Sequence, residues 1–299
     1  MNYHTPALLH ETIEGLDIKP DGIYIDVTFG GGGHSAEILK RLKNGKLIAF
    51  DQDIDAHKNT INDKRFTLIQ ANFRFLENFL NYHKIDKVDG ILADLGVSTH
   101  HFDIPERGFS FRFDAPLDMR MNIESDFDAK HIINIYTKKE LFVLFKKYSE
   151  IKNAGKLVEA IISKRNEKEI ITTTELVSAI QNCVPKKIEN KYLAKVFQAL
   201  RIEVNNEIEN LKIFLQQGVR FLKDDARFVV ISYHSLEDRL VKNLFRTGNF
   251  EGKQEKDIYG NIVSPLKQFN RKVIVPTDQE IEQNNRSRSA KMRIGMINN

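Results

Sequence analysis

The fold of this chain follows from the stretch Ile25-Asp26-Val27-Thr28-Phe29-Gly30-Gly31-Gly32-Gly33-His34. Apolar residues between positions 22 and 27 predict a short buried strand after a Pro-Asp-Gly turn signal. Four successive glycines follow, and the pattern after them predicts a helix over residues 34–42. The backbone can approach a ligand closely at such a turn, and amides at the start of the helix point toward it. The turn alone leaves two interpretations open: it contacts a ligand, or it simply connects the strand to the helix.

Further strands follow at the spacing of a parallel sheet. Apolar runs predict strands over residues 46–50, 66–69, 88–93 and 227–233. This βαβαβ rhythm predicts an α/β fold with a doubly wound, parallel sheet. Two late strand candidates, residues 272–275 and 290–296, are compatible with the methyltransferase variant of that fold.

A long helical segment separates the fourth predicted strand from the fifth. About 130 residues lie between Asp94 and Arg227, whereas an ordinary crossover needs only a few tens. Amphipathic patterns over residues 141–148, 152–164, 174–182 and 193–222 predict helices there. We therefore predict a helical domain at residues 105–200, inserted into a domain formed by residues 1–104 and 201–299.

Composition excludes several classes of protein. The formal net charge is +4, from 45 basic and 41 acidic residues, which permits an anionic partner without requiring one. Cys183 is the only cysteine, so an intramolecular disulfide and a cysteine-rich zinc site are excluded, and we expect no metal. The sequence shows neither a signal-peptide pattern nor an apolar run long enough to span a bilayer. We expect a cytoplasmic protein without a membrane partner.

Three carboxylates indicate which nucleoside cofactor the turn serves. Asp51 ends the second strand and Asp94 the fourth, at the edge where open α/β sheets bind ligands, and Asp26 lies beside the glycines. An acid at position 51 can accept hydrogen bonds from ribose hydroxyls. The dinucleotide-binding fingerprint G-x-G-x-x-G fits poorly, because Ser35 or Ala36 stands at the position of its third glycine. Since some dinucleotide-binding proteins have alanine at this position, a nicotinamide-dependent enzyme stays open as a disfavoured alternative.

The carboxylates favour S-adenosylmethionine (SAM), a sulfonium cation without phosphate groups. A pyrophosphate ligand is better served by a basic or neutral lining, and the glycine turn contains no lysine. The absence of a G-K-[ST] sequence also excludes a standard P-loop.

Motifs spread over nearly the whole chain resemble those of the MraW (RsmH) methyltransferase family. They occur in the family's order and are together far more specific than the glycine turn alone. The matching segments are His4-Thr5-Pro6 with Leu8-Leu9, residues 26–35 (DVTFGGGGHS), 89–98 (DGILADLGVS), 106–111 (ERGFSF), 116–121 (PLDMRM), 197–202 (FQALRI) with Val204-Asn205, 232–239 (SYHSLEDR) and 286–291 (RSRSAK).

The resemblance implies a Rossmann-like class I SAM-dependent methyltransferase with an inserted helical domain. It implies methylation of the N4 amino group of a cytidine in the decoding region of 16S ribosomal RNA (rRNA), with no DNA partner. Its SAM contacts correspond to Gly32, Gly33, His34, Asp51, Phe73, Asp94 and His101. The family usually has Gln at the last of these positions, and imidazole can replace only one of the amide's two polar contacts.

Methyl transfer to an exocyclic amine requires a hydrogen-bond acceptor, because the nitrogen lone pair is delocalised into the ring. We expect the loop at residues 94–98 to hold the target amine, with Asp94, Ser98 and His234 as catalytic candidates. Two alternatives stay open: Asp94 serves SAM alone, and His234 caps a helix. Methylation at cytosine C5 normally needs a cysteine nucleophile, and the context of Cys183 predicts an amphipathic helix.

Basic and aromatic residues cluster at the start of the insert. This mixture suits phosphate contacts and stacking on an exposed base, and the candidates are Arg107, Phe109, Phe111, Arg112 and Arg120. The alternative is that the phenylalanines pack inside the protein. Other functions also stay open: a SAM-dependent enzyme with a non-RNA acceptor, a SAM-binding RNA or ribosome assembly factor without turnover, and a nucleotide-binding oxidoreductase.

Overall fold

The computed structural model of the chain describes residues 6–96, 104–184, 186–260 and 263–298. The chain divides into two compact units, Met1–Gly96 with Ile208–Asn299, and Val97–Glu207. The insert predicted at residues 105–200 lies within the second unit, which extends further at both ends. The extension at the carboxyl end has a local cause: the last helix of that unit continues to Val204, and Ile202 within it is buried.

A seven-stranded sheet forms the centre of the first unit. The strands have the spatial order β3-β2-β1-β4-β5-β7-β6, with β7 antiparallel to both of its neighbours. This order confirms the predicted doubly wound α/β sheet of the class I methyltransferase type. The strands are β1 (Ile23–Asp26), β2 (Lys46–Asp51), β3 (Phe66–Gln70), β4 (Val88–Asp94), β5 (Leu222–Ser232), β6 (Leu266–Gln268) and β7 (Lys291–Ile297).

Helices cover both faces of this sheet because the inner strands are apolar on both sides. On one face, Phe214, Phe228 and Phe245 form a chain of rings with centroids 5.5 Å apart at each step. Tyr24 and Ile231 belong to the core on the other face. The first face packs against α3 (Leu76–Tyr82), α9 (Glu207–Phe221) and α10 (Ser235–Thr247), and the second against α1 (Leu9–Leu16) and α2 (Gly33–Arg41).

The sheet reverses its strand order between β1 and β4. From β1 the chain proceeds outward to β2 and β3, and it then returns to place β4 on the other side of β1. Open α/β sheets bind ligands at the carboxyl ends of the strands beside such a switch point. Asp26 and Asp94 are the last residues of these two strands.

The second unit is helical. Thr137 and Thr172 begin two of its helices with capping boxes, in which threonine and glutamate satisfy backbone amides reciprocally. Its core includes Leu144, Phe145 and Val196. The helices are α4 (Ala129–Ile135), α5 (Lys138–Tyr148), α6 (Ala154–Glu167), α7 (Thr173–Ile180) and α8 (Glu189–Val204).

Two predictions about helices and strands were wrong. The single helix predicted over residues 193–222 is two helices, because Asn206 has the left-handed conformation, with φ of 49°, that ends a helix. Residues 272–275 are not a strand, and only Ile274 forms an isolated bridge, to Met292. The strand that lies at the sheet edge instead is β6, where Leu266 is buried; its three residues are too short to show a periodic pattern. The other late strand, β7, was correctly predicted.

A short helix, α11 (Asp278–Gln283), precedes β7. Among the described residues, the helices are too short or too polar to cross a lipid bilayer.

Candidate cofactor and active site

The glycine turn after β1 is held by the carboxylate that ends β2. The backbone N–H of Gly30 donates a hydrogen bond of 2.8 Å to Oδ2 of Asp51, and that of Asp53 donates one of 2.9 Å to Oδ1. Gly30 and Gly32 have φ of 52° and 77°, which favours glycine. A Cβ atom on Gly33 would lie 2.3 Å from Cγ of Pro6. This close approach explains why glycine is needed there.

Asp26, the carboxylate that ends β1, is buried beneath the turn. Its Oδ2 accepts a hydrogen bond of 2.7 Å from Oγ of Ser35, and its Oδ1 accepts one of 3.1 Å from the N–H of Thr28. The pKa of Asp26 is raised to about 6, mainly by burial and in addition by the charge of Asp51, while the hydrogen bonds from Ser35 and Thr28 oppose the rise. Asp26 therefore orients the loop between β1 and α2.

His34 lies in the first turn of α2 and is also buried. Its Nε2 lies 3.2 Å from the carbonyl oxygen of Ala7. Burial lowers the pKa of His34 to about 4, so the ring is neutral at physiological pH. Because a carbonyl can only accept, Nε2 carries the ring proton and Nδ1 is left as an acceptor.

Asp94, the carboxylate that ends β4, faces this histidine. Its Oδ2 lies 3.8 Å from Nδ1 of His34, and its backbone N–H donates a 2.6 Å hydrogen bond to Oγ1 of Thr28. Burial raises the pKa of Asp94 to about 7, an effect opposed by the hydrogen bond from Tyr233 and increased by the charges of Asp26 and Glu237. Its side chain keeps 20% of its exposure, so a ligand can reach it.

Tyr233 is a part of this site that we did not predict. Its hydroxyl donates a hydrogen bond of 2.8 Å to Oδ1 of Asp94. Burial, together with the adjacent Asp94, raises the pKa of Tyr233 well above its usual value, so the hydroxyl stays protonated. One signal was available in the sequence: Tyr233 ends the predicted fifth strand, residues 227–233, which neighbours the fourth in a doubly wound sheet.

His234 caps a helix. Its Nδ1 accepts a hydrogen bond of 3.4 Å from the N–H of Glu237, whose Oε2 in turn accepts from the N–H of His234. This reciprocal pair is a capping box at the start of α10. The geometry favours the capping alternative over a role in proton transfer.

Phe73, Ser98 and His101 are the remaining predicted site residues. Phe73 lies in a short 3-10 turn just after β3, and its ring packs on that of Phe214 with centroids 5.2 Å apart. Ser98 and His101 fall in residues 97–103, outside the described part of the chain.

The predicted RNA-contacting residues of the second unit differ in accessibility. Arg107 donates to the carbonyl oxygens of Arg120 and Met121. Arg120 holds Asp118 through two hydrogen bonds of 2.8 and 2.7 Å. Both guanidinium groups are thus engaged within the unit.

The aromatic candidates are mostly packed as well. Phe109 is only 5% exposed, so it belongs to the interior and is not available for stacking on an RNA base. The ring of Phe111 packs edge-on against that of Phe197, with centroids 5.5 Å apart. Arg112 and the adjacent Phe113 are exposed. Burial, which depends on contacts distant in sequence, separates these residues.

Comparison with known proteins gives one family. The MraW methylase family model matches residues 1–297. Three similar proteins are each named ribosomal RNA small subunit methyltransferase H. The protein from Flavobacterium johnsoniae is 57% identical over 98% of this chain and 97% of its own length; that from Bacteroides thetaiotaomicron is 55% identical over 98% and 97%; and that from Parabacteroides distasonis is 56% identical over 98% and 96%.

Proposed function

Since this chain belongs to the MraW methylase family, we propose that it is a SAM-dependent methyltransferase that modifies the N4 amino group of a cytidine in the decoding region of 16S rRNA. One observation carries the proposal. Asp94, at the switch point of the sheet, directs a partly accessible carboxylate oxygen toward a neutral histidine. Such a pair of acceptors suits an amino group.

The residues around the turn fit SAM. A Cβ atom built on Gly30 would meet no atom closer than 4.0 Å, which leaves space beside the turn for a ligand. The carboxylates of Asp51 and Asp94 suit a cationic cofactor with ribose hydroxyls. We propose that SAM is bound by Gly32, Gly33, His34, Asp51, Phe73, Asp94 and His101.

When bound, SAM supplies an electrophilic methyl group. Held by these residues, it would transfer this methyl group to N4 of the cytosine and leave as S-adenosylhomocysteine. Asp94 accepts a hydrogen bond from the amine and so favours development of the lone pair on N4. The methylated nitrogen then loses a proton, which the Asp94 carboxylate or water accepts. Ser98 is proposed to hold the amine in place.

Recognition of RNA is proposed for the exposed residues of the second unit. Arg112 suits a phosphate contact, and Phe113, which is 48% exposed, suits stacking on an unpaired base. Exposed lysines of α5, Lys139 and Lys146 among them, add positive charge. An rRNA substrate within the small ribosomal subunit would be met in the cytoplasm.

Methyl transfer from labelled SAM to small ribosomal subunits that lack this modification tests the proposal. Nucleoside analysis of the product should give label in N4-methylcytidine. Wild-type protein that binds SAM but transfers no label would favour an assembly factor without turnover. Label in a protein or a small molecule would favour a different acceptor.

The matched pair of variants for this assay is Asp94→Asn and Asp224→Asn. The first replaces the charged carboxylate with a neutral amide, which is a weaker acceptor and cannot take up a proton near neutral pH, and it should abolish most turnover. The second changes an exposed aspartate of β5 and should leave turnover unchanged. Near-normal turnover by Asp94→Asn would contradict the role proposed for this residue.

A further inference from the structure

The geometry points to Tyr233 as a positioning residue: its hydroxyl holds Oδ1 of Asp94, so that Oδ2 of Asp94 and Nδ1 of His34 together accept the N–H groups of one amino group. This inference rests on the proposed function and deepens it. It concerns the chemistry recognised between two side chains of the first unit.

The hydrogen-bond partner of His34 determines which ring nitrogen carries its proton. Its Nε2 faces the carbonyl oxygen of Ala7 at 3.2 Å, and this oxygen can only accept. The ring is neutral because it is buried. It follows that Nδ1 has a lone pair and no proton, on the side that faces Asp94.

Nδ1 of His34 and Oδ2 of Asp94 are two hydrogen-bond acceptors that face each other. These two atoms are 3.8 Å apart. Two lone pairs at this distance repel each other unless a donor satisfies both. A nitrogen that offers two N–H groups, about 2.9 Å from each acceptor, fits this separation.

Two amino groups in the proposed reaction have this chemistry. One is the amino group of the methionine part of SAM, and the other is the exocyclic amine of the target cytosine. Both offer at least two N–H groups, so geometry alone assigns the chemistry and the experiment distinguishes the source.

Tyr233 determines the orientation of the Asp94 carboxylate. The carboxylate of Asp94 can rotate about its Cβ–Cγ bond. The hydrogen bond from the backbone N–H of Asp94 to Oγ1 of Thr28 does not fix the positions of the two carboxylate oxygens. The Tyr233 hydroxyl holds Oδ1 at 2.8 Å and so directs Oδ2 toward His34. Tyr233 is itself fixed, because its N–H donates to Oε2 of Glu237 at 3.0 Å and its ring packs beside Gly96.

The hydrogen bond also favours the charged form of Asp94, which is the form that accepts. The groups that face Asp94 are His34 of α2, Asp26 of β1, Tyr233 after β5 and Glu237 of α10. Among these, Tyr233 is the one whose hydrogen bond lowers the pKa of Asp94, while burial and the two acids raise it. Without this hydroxyl, the pKa of Asp94 rises above its value of about 7.

The test compares Tyr233→Phe with Tyr24→Phe between pH 6 and pH 9. Tyr24 is the matched control, since it is another buried tyrosine of the same sheet whose hydroxyl is hydrogen-bonded, in this case by the N–H of Lys19. Single-turnover methyl transfer to small ribosomal subunits is measured with SAM well below its wild-type Kd, and the Kd of SAM is measured by calorimetry over the same range.

We expect the acid limb of the Tyr233→Phe profile to move upward by about one pH unit, because a hydrogen bond to a charged group is lost. Methyl transfer at pH 7 should then fall about fivefold and approach the wild-type rate near pH 9. Tyr24→Phe should keep the wild-type profile. A uniform loss at every pH, or no loss, would overturn the inference, since a purely structural defect is not rescued by alkali.

The Kd of SAM distinguishes the two sources of the amino group. If Asp94 and His34 accept from SAM, the Kd for SAM should increase in Tyr233→Phe, with the same dependence on pH as the loss of methyl transfer. If they accept from cytosine, the Kd should be unchanged and only transfer should fall. Both results support the positioning role, and they assign its ligand.

Failure of the proposed function would be visible separately. If wild-type protein transfers no methyl group to the subunits, the proposal that RNA is the substrate is contradicted. The calorimetric comparison alone would then test the inference. In that case, a pH-dependent loss of SAM affinity in Tyr233→Phe supports it, and equal affinities at every pH refute it.

Discussion

Oγ of Ser35 donates a 2.7 Å hydrogen bond to Oδ2 of Asp26, which joins the first turn of α2 to the end of β1 beneath the glycine turn. Asp26 is only 1% exposed, yet it ends a strand directly beside the proposed cofactor site. The contact gives Asp26 a role in shaping the turn, and its burial makes the stability of the fold depend on pH.

Replacement of Asp26 by Asn should change the pH dependence of stability. In the wild type, the pKa of Asp26 rises from 3.8 to about 6 on folding, so the folded state binds more protons than the unfolded state between these values. The contribution of this group to the free energy of unfolding is therefore present below pH 3.8 and is lost as pH rises through about 6.

Asp26→Asn lacks this titration. The difference in unfolding free energy, variant minus wild type, should therefore rise between about pH 4 and pH 7, as measured by urea denaturation. Asp21→Asn, at an exposed aspartate before β1, should show no such trend. A flat difference for Asp26→Asn would contradict the elevated pKa.

Replacement of Gly33 by Ala should destabilise the turn. The new Cβ would lie 2.3 Å from Cγ of Pro6, so the backbone or the proline ring must shift. We expect a loss of about 1–3 kcal/mol in unfolding free energy, with weaker SAM binding.

Gly155→Ala is the matched control for this change. Gly155 lies within α6, where a new Cβ would meet only Phe142, at 4.0 Å. This variant should be more stable than wild type by roughly 0.5–1 kcal/mol, because alanine favours the helix. Equal stability of Gly33→Ala and wild type would show that the turn accommodates a side chain.

Substitutions of His234 separate capping from catalysis. Asn is a good helix cap and cannot act as an acid or base near neutral pH, so His234→Asn should retain most of the methyl-transfer rate. His234→Ala removes the cap and should lower the unfolding free energy by about 1 kcal/mol. If His234→Asn instead were stable but lost at least a hundredfold in rate, the histidine would be a catalytic group.

Substitution of Arg112 by Ala tests the exposed RNA surface. If the guanidinium contacts a phosphate, affinity for small-subunit RNA should fall. The slope of log affinity against log salt should decrease by about 0.7–1. Lys46→Ala, at the amino end of β2, removes one positive charge from an exposed position and serves as control. Equal slopes for the two variants would show that Arg112 does not contact a phosphate of the RNA.

Much of the site was predictable because its parts are local in sequence. A strand, a glycine turn and a helix lie within residues 22–42, and each has a pattern set by backbone geometry. Asp51 and Asp94 could be assigned to strand ends for the same reason. The edge strand Leu266–Gln268 could not, because its three residues are defined by pairing with β7 and have no pattern of their own.

The sequence by itself determined that the chain forms a doubly wound α/β sheet with a glycine turn and carboxylates at its carboxyl edge, since apolar periodicity and glycine conformations are local properties. The tertiary structure alone decided how those groups are paired. Tyr233 meets Asp94 across 139 positions of sequence, and the carbonyl of Ala7 selects the tautomer of His34. Packing also buried Phe109 and left Arg112 exposed. Burial, hydrogen-bond direction and pKa depend on which distant residues become neighbours, and no local pattern encodes that.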